Sequence, residues 1–243
     1  MNIGFYVAAA AMRGLERWQE NIATNMSAGS TPGYRKRETE FSMAPAGSVT
    51  NGPGSVGAVQ YPSSRSAVNF QSGQVVGTGR EMDVAIQGNG LFQIQMPDGS
   101  HAYTRSGGFY MNSERTLVDA AGRPVLGEGG AQVQLLAEGG SLSIARDGTI
   151  TQGKQPIGKL AIYNFADAHT LAPLSGGIFA PAPGQEPQQI EQPVLLQGAL
   201  ETSNVQPVEE MVNLVQVSRA YEAAQKIITS RDDLVDKSIR TFS

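Results

Sequence analysis

An uninterrupted seven-residue repeat closes the chain. Leu214, Tyr221, Ile228, Val235 and Phe242 recur every seven residues, and Met211, Val217, Ala224 and Ile227 widen the same apolar stripe. A strict seven-residue period predicts a helix with a left-handed coiled-coil seam. Pro207 suits the first turn of that helix, and Glu209 and Glu210 lie near the positive end of its dipole. The other end of the chain reads in a similar way. Residues 3–26 hold no proline, and Ala8, Ala11, Leu15, Trp18, Ile22 and Asn25 alternate at steps of three and four. Such residues share one stripe of a helix, which should stop at Gly29, before Thr31-Pro32-Gly33. Two arrangements can bury the stripes: a helical hairpin docked on the rest of the chain, or packing against further copies. Long connectors and stripes running toward both ends favour the second.

The segment between the helices has a different period. Over residues 80–165, Phe92 and Ile94 alternate with Gln93 and Gln95, and Leu142 and Ile144 with Ser141, Ser143 and Ala145. Gly88-Asn89-Gly90, Pro97-Asp98-Gly99, Gly107-Gly108, Asp119-Ala120-Ala121-Gly122 and Asp147-Gly148 punctuate it as turns. That pattern predicts antiparallel hairpins in a compact β-domain. Two connectors flank it. From Phe41 to Gly79 the only charged residue is Arg65, and seven residues are glycine; five prolines lie between Ala166 and Pro193. The expected fold is therefore α+β, with terminal coiled-coil helices from both chain ends flanking a mostly antiparallel β-domain. Its parts are an N-terminal helix and Thr-Pro-Gly turn (1–40), an extended Gly-rich connector (41–79), the β-rich domain (80–165), a Pro-rich connector and return (166–200), and the C-terminal heptad helix (201–243).

Composition removes several function classes. The 243 residues include no cysteine and only two histidines, His101 and His169. Thiolate zinc sites, disulfide scaffolds and cysteine nucleophiles are excluded, and two histidines alone cannot make a multi-histidine metal centre. His101 reads as a hairpin surface residue. His169 has only Asp167 beside it. Gly127-Glu128-Gly129-Gly130 lacks the Lys-Ser/Thr or helix of a phosphate loop. Ser106-Gly107 is not a nucleophile elbow. Glu209 and Glu210 diverge by about 100° on a helix, so they are no acid–base pair. The expectation is no enzyme, no cofactor and no metal. Net charge is −4, giving no global basic field for nucleic acid. Arg35-Lys36-Arg37, with Glu38 and Glu40 following, reads as a solvated face or an inter-subunit ion-pair contact. No run of about 20 apolar residues is present to span a bilayer as a helix. Residues 1–12 lack the basic flank of a signal peptide. A thiol-free chain suits an extracytoplasmic protein or one exported unfolded.

Several strings resemble the bacterial flagellar axial proteins of the basal-body rod and hook. They are Ile22-Ala23-Thr24-Asn25-Met26 leading to Ser30-Thr31-Pro32-Gly33-Tyr34-Arg35; Arg80-Glu81-Met82-Asp83-Val84-Ala85-Ile86-Gln87-Gly88-Asn89-Gly90-Leu91-Phe92; Tyr103-Thr104-Arg105-Ser106-Gly107-Gly108-Phe109; and Leu200-Glu201-Thr202-Ser203-Asn204-Val205, with Val208-Glu209-Glu210-Met211-Val212 and Arg219-Ala220-Tyr221-Glu222. The signature positions are Thr31, Pro32, Gly33, Tyr34, Ser203, Asn204 and Val205. One departure is Ala28, where the family usually has asparagine. The resemblance implies a structural subunit of the rod that polymerises helically through its terminal helices, with the stripe residues as assembly interface. It implies partners among copies of itself, other rod subunits and the flagellar type III export apparatus. It also implies export without a cleaved signal to a rod spanning the periplasm, with no nucleic acid and no membrane insertion. Val125–Gly130 and Asn204–Glu209 resemble the proximal-rod branch, and Val215–Glu222 the distal-rod branch. A reading from a different class is a secreted β-domain that binds a ligand through its Gly-rich loops.

Overall fold

The computed structural model describes the backbone of residues 3–50, 56–137 and 140–241, and the side chains of 7–44, 61–137 and 140–230. Phe242 lies outside the described residues, as does the side chain of Val235. The chain is α+β and divides into two compact units. One comprises residues 1–27, 37–67 and 206–243, the other 28–36 and 68–205.

The first unit holds two helices and a ribbon. Helix α1 spans Ile3–Ala28 and helix α2 spans Pro207–Thr241. Among the described residues, strands β1 (Arg37–Thr50) and β2 (Val56–Val68) pair only with each other. Most of the segment read as an extended connector is thus a two-stranded ribbon. Its few charges leave little to desolvate where backbone pairs with backbone.

The asparagines of α1 fasten that ribbon. Asn25 donates to the Arg37 carbonyl at 2.8 Å and accepts the Arg37 N–H at 2.8 Å, so its amide imitates a neighbouring strand. One turn earlier, Asn21 donates to Thr39 Oγ1 at 2.7 Å and accepts from Ser66 Oγ at 3.1 Å. Both asparagines are buried, and each amide satisfies itself on the ribbon. Gly14 allows the other close approach, because a Cβ there would lie 2.8 Å from the Phe41 ring. Trp18 meets that ring edge-on at 6.1 Å.

The two helices also meet. Asn25 donates to Glu210 Oε2 at 3.2 Å, and the Tyr221 hydroxyl donates to Glu16 Oε1 at 3.4 Å. The contacts advance in opposite directions along the two helices, so the helices run antiparallel.

The second unit is antiparallel β-structure. Strands β3 (Val75–Gly77) and β4 (Val84–Gln87) pair with Ala199–Glu201 and Val194–Gln197 respectively. At its centre, β5 (Leu91–Gln95) pairs with β6 (His101–Thr104), with Val125–Leu126 and with Ile162–Asn164. The sheet continues through Ile178–Ala180 and Gln188–Gln189. β-Structure therefore extends well past residue 165, into the segment read as a Pro-rich connector.

β5 is buried on both faces. Phe92 and Ile94 enter one core cluster, where Phe92 meets Phe109 edge-on at 5.0 Å; Leu91 enters a second cluster with Tyr103 and Phe179. Gln93 alternates with Phe92 and Ile94 along the strand. Gln93 too is buried, its amide donating to the Tyr103 hydroxyl at 3.1 Å. That hydrogen bond serves the amide nitrogen, whereas Gln93 Oε1 is buried without a hydrogen-bond partner.

Candidate functional site

The signature strings at the two ends of the chain converge on one carboxylate in the second unit. Glu201 accepts from Arg35 Nη1 at 2.6 Å, from Arg105 Nε at 2.6 Å and from the Gly73 N–H at 2.8 Å. The side chains of all three charged residues are at least 97% buried. Arg105 spends its other donors on backbone: Nη1 on the Gly90 carbonyl (2.6 Å), and Nη2 on those of Ile86 and Gly88 (2.7 Å each). This clamp fixes the Gly88-Asn89-Gly90 turn. Burial works to raise the Glu201 pKa, but the charges and hydrogen bonds of Arg105 and Arg35 outweigh it and hold the carboxyl below its usual range. Burial lowers the Arg105 pKa, with Glu201 opposing and Arg35 reinforcing.

The Thr31-Pro32-Gly33-Tyr34 turn delivers Arg35 to this hub. Thr31 N–H bonds the Ala28 carbonyl at 2.9 Å and Tyr34 N–H the Thr31 carbonyl at 3.2 Å. The backbone alone closes this turn, with alanine at position 28. Gly33 is required on two counts. Its φ is +70°, and a Cβ there would lie 2.5 Å from the Arg105 carbonyl carbon and Ser106 nitrogen. Its N–H donates to the Glu201 carbonyl at 2.7 Å. Gly33→Ala is expected to cost more than the ~1 kcal/mol typical of glycine-to-alanine strain, because the turn must also withdraw from Arg105. A denaturant midpoint on the purified protein measures it.

Ser203, Asn204 and Val205 complete the lock. Asn204 accepts the Lys36 N–H at 2.7 Å and donates to the carbonyls of Asn69 and Gln71 at 3.0 Å each. Val205 is buried, and its N–H donates to Ser203 Oγ at 3.1 Å. Gly73 admits the strand beside it, since a Cβ would sit 1.9 Å from the Thr202 carbonyl oxygen. The basic cluster 35–37, read as solvated or inter-subunit, is therefore divided: Arg35 is buried against Glu201 within the chain.

The stripe residues occupy the first unit. Ile22 and Asn25 are buried; Ala8, Ala11, Leu15 and Trp18 are half-buried. On α2, Glu210 and Val217 are buried and Leu214, Tyr221, Ala224 and Ile228 half-buried, at alternating steps of four and three. Glu210 thus belongs to the inner seam rather than serving only the helix dipole. Met211 and Ile227 do not: they are 52% and 63% exposed. Val208, Met211, Val212 and Val215 form an outward apolar row at 75%, 52%, 51% and 52% exposure. At 100° per residue this row fills a ~100° arc, centred about 150° from the seam. Past it, Arg219, Glu222 and Lys226 take over the same face, so the apolar patch covers only the first turns.

The two histidines do no joint work. His101 is exposed on β6, within 3.3 Å of Gln93 Nε2. His169 lies in a short turn capped by Asp167, with its ring edge-on to Phe70 at 6.1 Å. Among the described residues, no group of three His, Asp or Glu could hold a metal, and no helix is long and apolar enough to cross a membrane.

The first unit thus holds α1, α2 and a two-stranded ribbon, and the second a β-structure into which the signature segments 31–35 and 200–205 are built. Two family models match: the C-terminal model of flagellar basal-body rod FlgEFG proteins over residues 196–241, and the D1 domain of flagellar hook proteins FlgE/F/G over 85–152. The rod protein FlgF of Mesorhizobium japonicum is 32% identical over all of this chain and 98% of its own. FlgF of Caulobacter vibrioides is 31% identical over 96% of this chain and 95% of its own. FlgG of Buchnera aphidicola subsp. Baizongia pistaciae is 38% identical over 64% of this chain and 63% of its own. The chain belongs to the flagellar basal-body rod protein family.

Proposed function

We propose that the chain is a non-enzymatic structural subunit of the flagellar basal-body rod, in the manner of the FlgF relatives that align along its whole length. The observation that carries the mode of assembly is the outward row Val208, Met211, Val212 and Val215. Four large apolar side chains on the face opposite the seam are a surface for another chain. Within a subunit, α1 and α2 pack along Leu15, Trp18, Ile22, Asn25, Leu214, Tyr221 and Ile228. Between subunits, the outer row and the half-buried flanks at Ala8 and Ala11 meet neighbouring helices as a coiled coil, with Val235 and Phe242 extending the repeat. A contact between unlike faces propagates as an open helical polymer.

The subunit travels through the flagellar type III apparatus without a cleaved signal and joins copies of itself and other rod proteins in the periplasm-spanning shaft. The absence of cysteine suits passage through an oxidising compartment. The test is incorporation of Val212 and Val215 variants into rods, with the expected loss set out in the Discussion.

A further inference from the structure

The sequence holds two Asn-Gly pairs: Asn51-Gly52, which lies outside the described residues, and Asn89-Gly90. Asparagine before glycine is the pair most prone to deamidation, because no side chain shields the nitrogen that follows it. At the second pair the Gly90 nitrogen would attack Asn89 Cγ. A new C–N bond closes a five-membered succinimide, and the side-chain amide nitrogen leaves as ammonia. Water then opens the ring to aspartate or isoaspartate. Closure requires the Asn89–Gly90 peptide to swing about the Asn89 ψ angle, because the peptide bond itself does not turn.

The hub restrains that swing. Arg105 Nη2 donates to the Gly88 carbonyl at 2.7 Å and Nη1 to the Gly90 carbonyl at 2.6 Å. The carbonyls on either side of the reacting peptide are thus held by one rigid guanidinium plane, itself tied to the Ile86 carbonyl and to Glu201. Gly90 is buried, and a Cβ there would lie 2.5 Å from Ile162 Cγ2, so Ile162 packs directly on its backbone. Asn89 itself is exposed, open to the water that the reaction consumes. We propose that Asn89 is a deamidation site that the Arg105 clamp holds shut. Opening of the clamp, rather than solvent access, then sets the rate at which Asn89 becomes aspartate or isoaspartate.

The test is incubation of the purified chain in mildly alkaline buffer, folded or unfolded in urea, with Asn89 conversion followed by mass spectrometry of the tryptic peptide 81–105. Conversion in the folded chain is expected to be about tenfold or more slower than in the unfolded one, because it waits on local opening. Arg105→Lys cannot hold all three carbonyls, and is expected to recover much of the unfolded rate while still folded. Should that variant not fold, Gly88→Ala takes its place. An alanine at φ +92° is strained, and nothing lies within 4 Å of its Cβ, so the turn shifts while the hub stays intact. Ile150→Ala, a truncation in the core of the β-unit, controls for a general loss of stability and is expected to leave Asn89 protected. Equal conversion in folded and unfolded wild type, no acceleration in the clamp variant, or an equal acceleration in Ile150→Ala overturns the proposal. None of these measurements needs a polymer, so the result stands apart from the rod reading.

Discussion

Glu201→Gln is expected to destabilise the β-unit by about 3–5 kcal/mol, the usual cost of removing one partner from a buried ion pair. The substitution keeps the shape of the side chain but leaves Arg35 and Arg105 facing each other with no counter-charge. Two segments distant in sequence then lose their common anchor: the turn ending at Arg35 and the loop held by Arg105. Chemical denaturation of both proteins at neutral pH measures the loss. Acid gives a second readout. The folded Glu201 pKa is depressed. Its contribution is therefore fully present above the unfolded value of about 4.3 and fades as pH falls through the lower folded value. Wild-type protein should lose stability across that acidic window more steeply than Glu201→Gln. Equal midpoints at neutral pH would mean that the hub contributes nothing.

Joint replacement of Val212 and Val215 by Asp is expected to leave the isolated subunit folded and to stop its entry into rods. Both side chains are about half exposed, so a folded monomer loses little, within about 0.5 kcal/mol for each site. In a polymer the same positions would bury two unpaired carboxylates, costing several kcal/mol for each contact. Thermal unfolding of the purified variant and its recovery in basal bodies from a strain lacking the wild-type copy separate the two effects. Variant subunits that enter rods in normal amount would remove this row from the interface.

Periodicity alone makes the terminal helices legible in the sequence. A repeat of seven and a proline suited to the first turn are local signals, and α2 does begin at Pro207. Which residues face inward is less legible. Met211 and Val217 are both apolar and close in sequence, yet one is half-exposed and the other buried. Hydrophobicity cannot distinguish them, and the seam includes a polar contact as well, Asn25 donating to Glu210 Oε2.

The hub lies inside the signature strings without a visible role there, because its three members stand at positions 35, 105 and 201. One signal does point to it. Strand alternation puts Glu201 on the same face as buried Ala199, so an acid there needs a buried cation. The ribbon is hidden for the opposite reason. Residues 41–79 have too few large apolar side chains to show a period, and what fastens β1 and β2 are amides on α1.

The chain contains no cysteine, so one introduced at Val212 is a unique thiol. Val212→Cys, labelled with a maleimide in the free subunit and in purified basal bodies, reads out whether assembly covers the outer face of α2. Rapid labelling of the free subunit and strong protection in the assembled rod are expected. Equal labelling in both states would contradict assembly through that face.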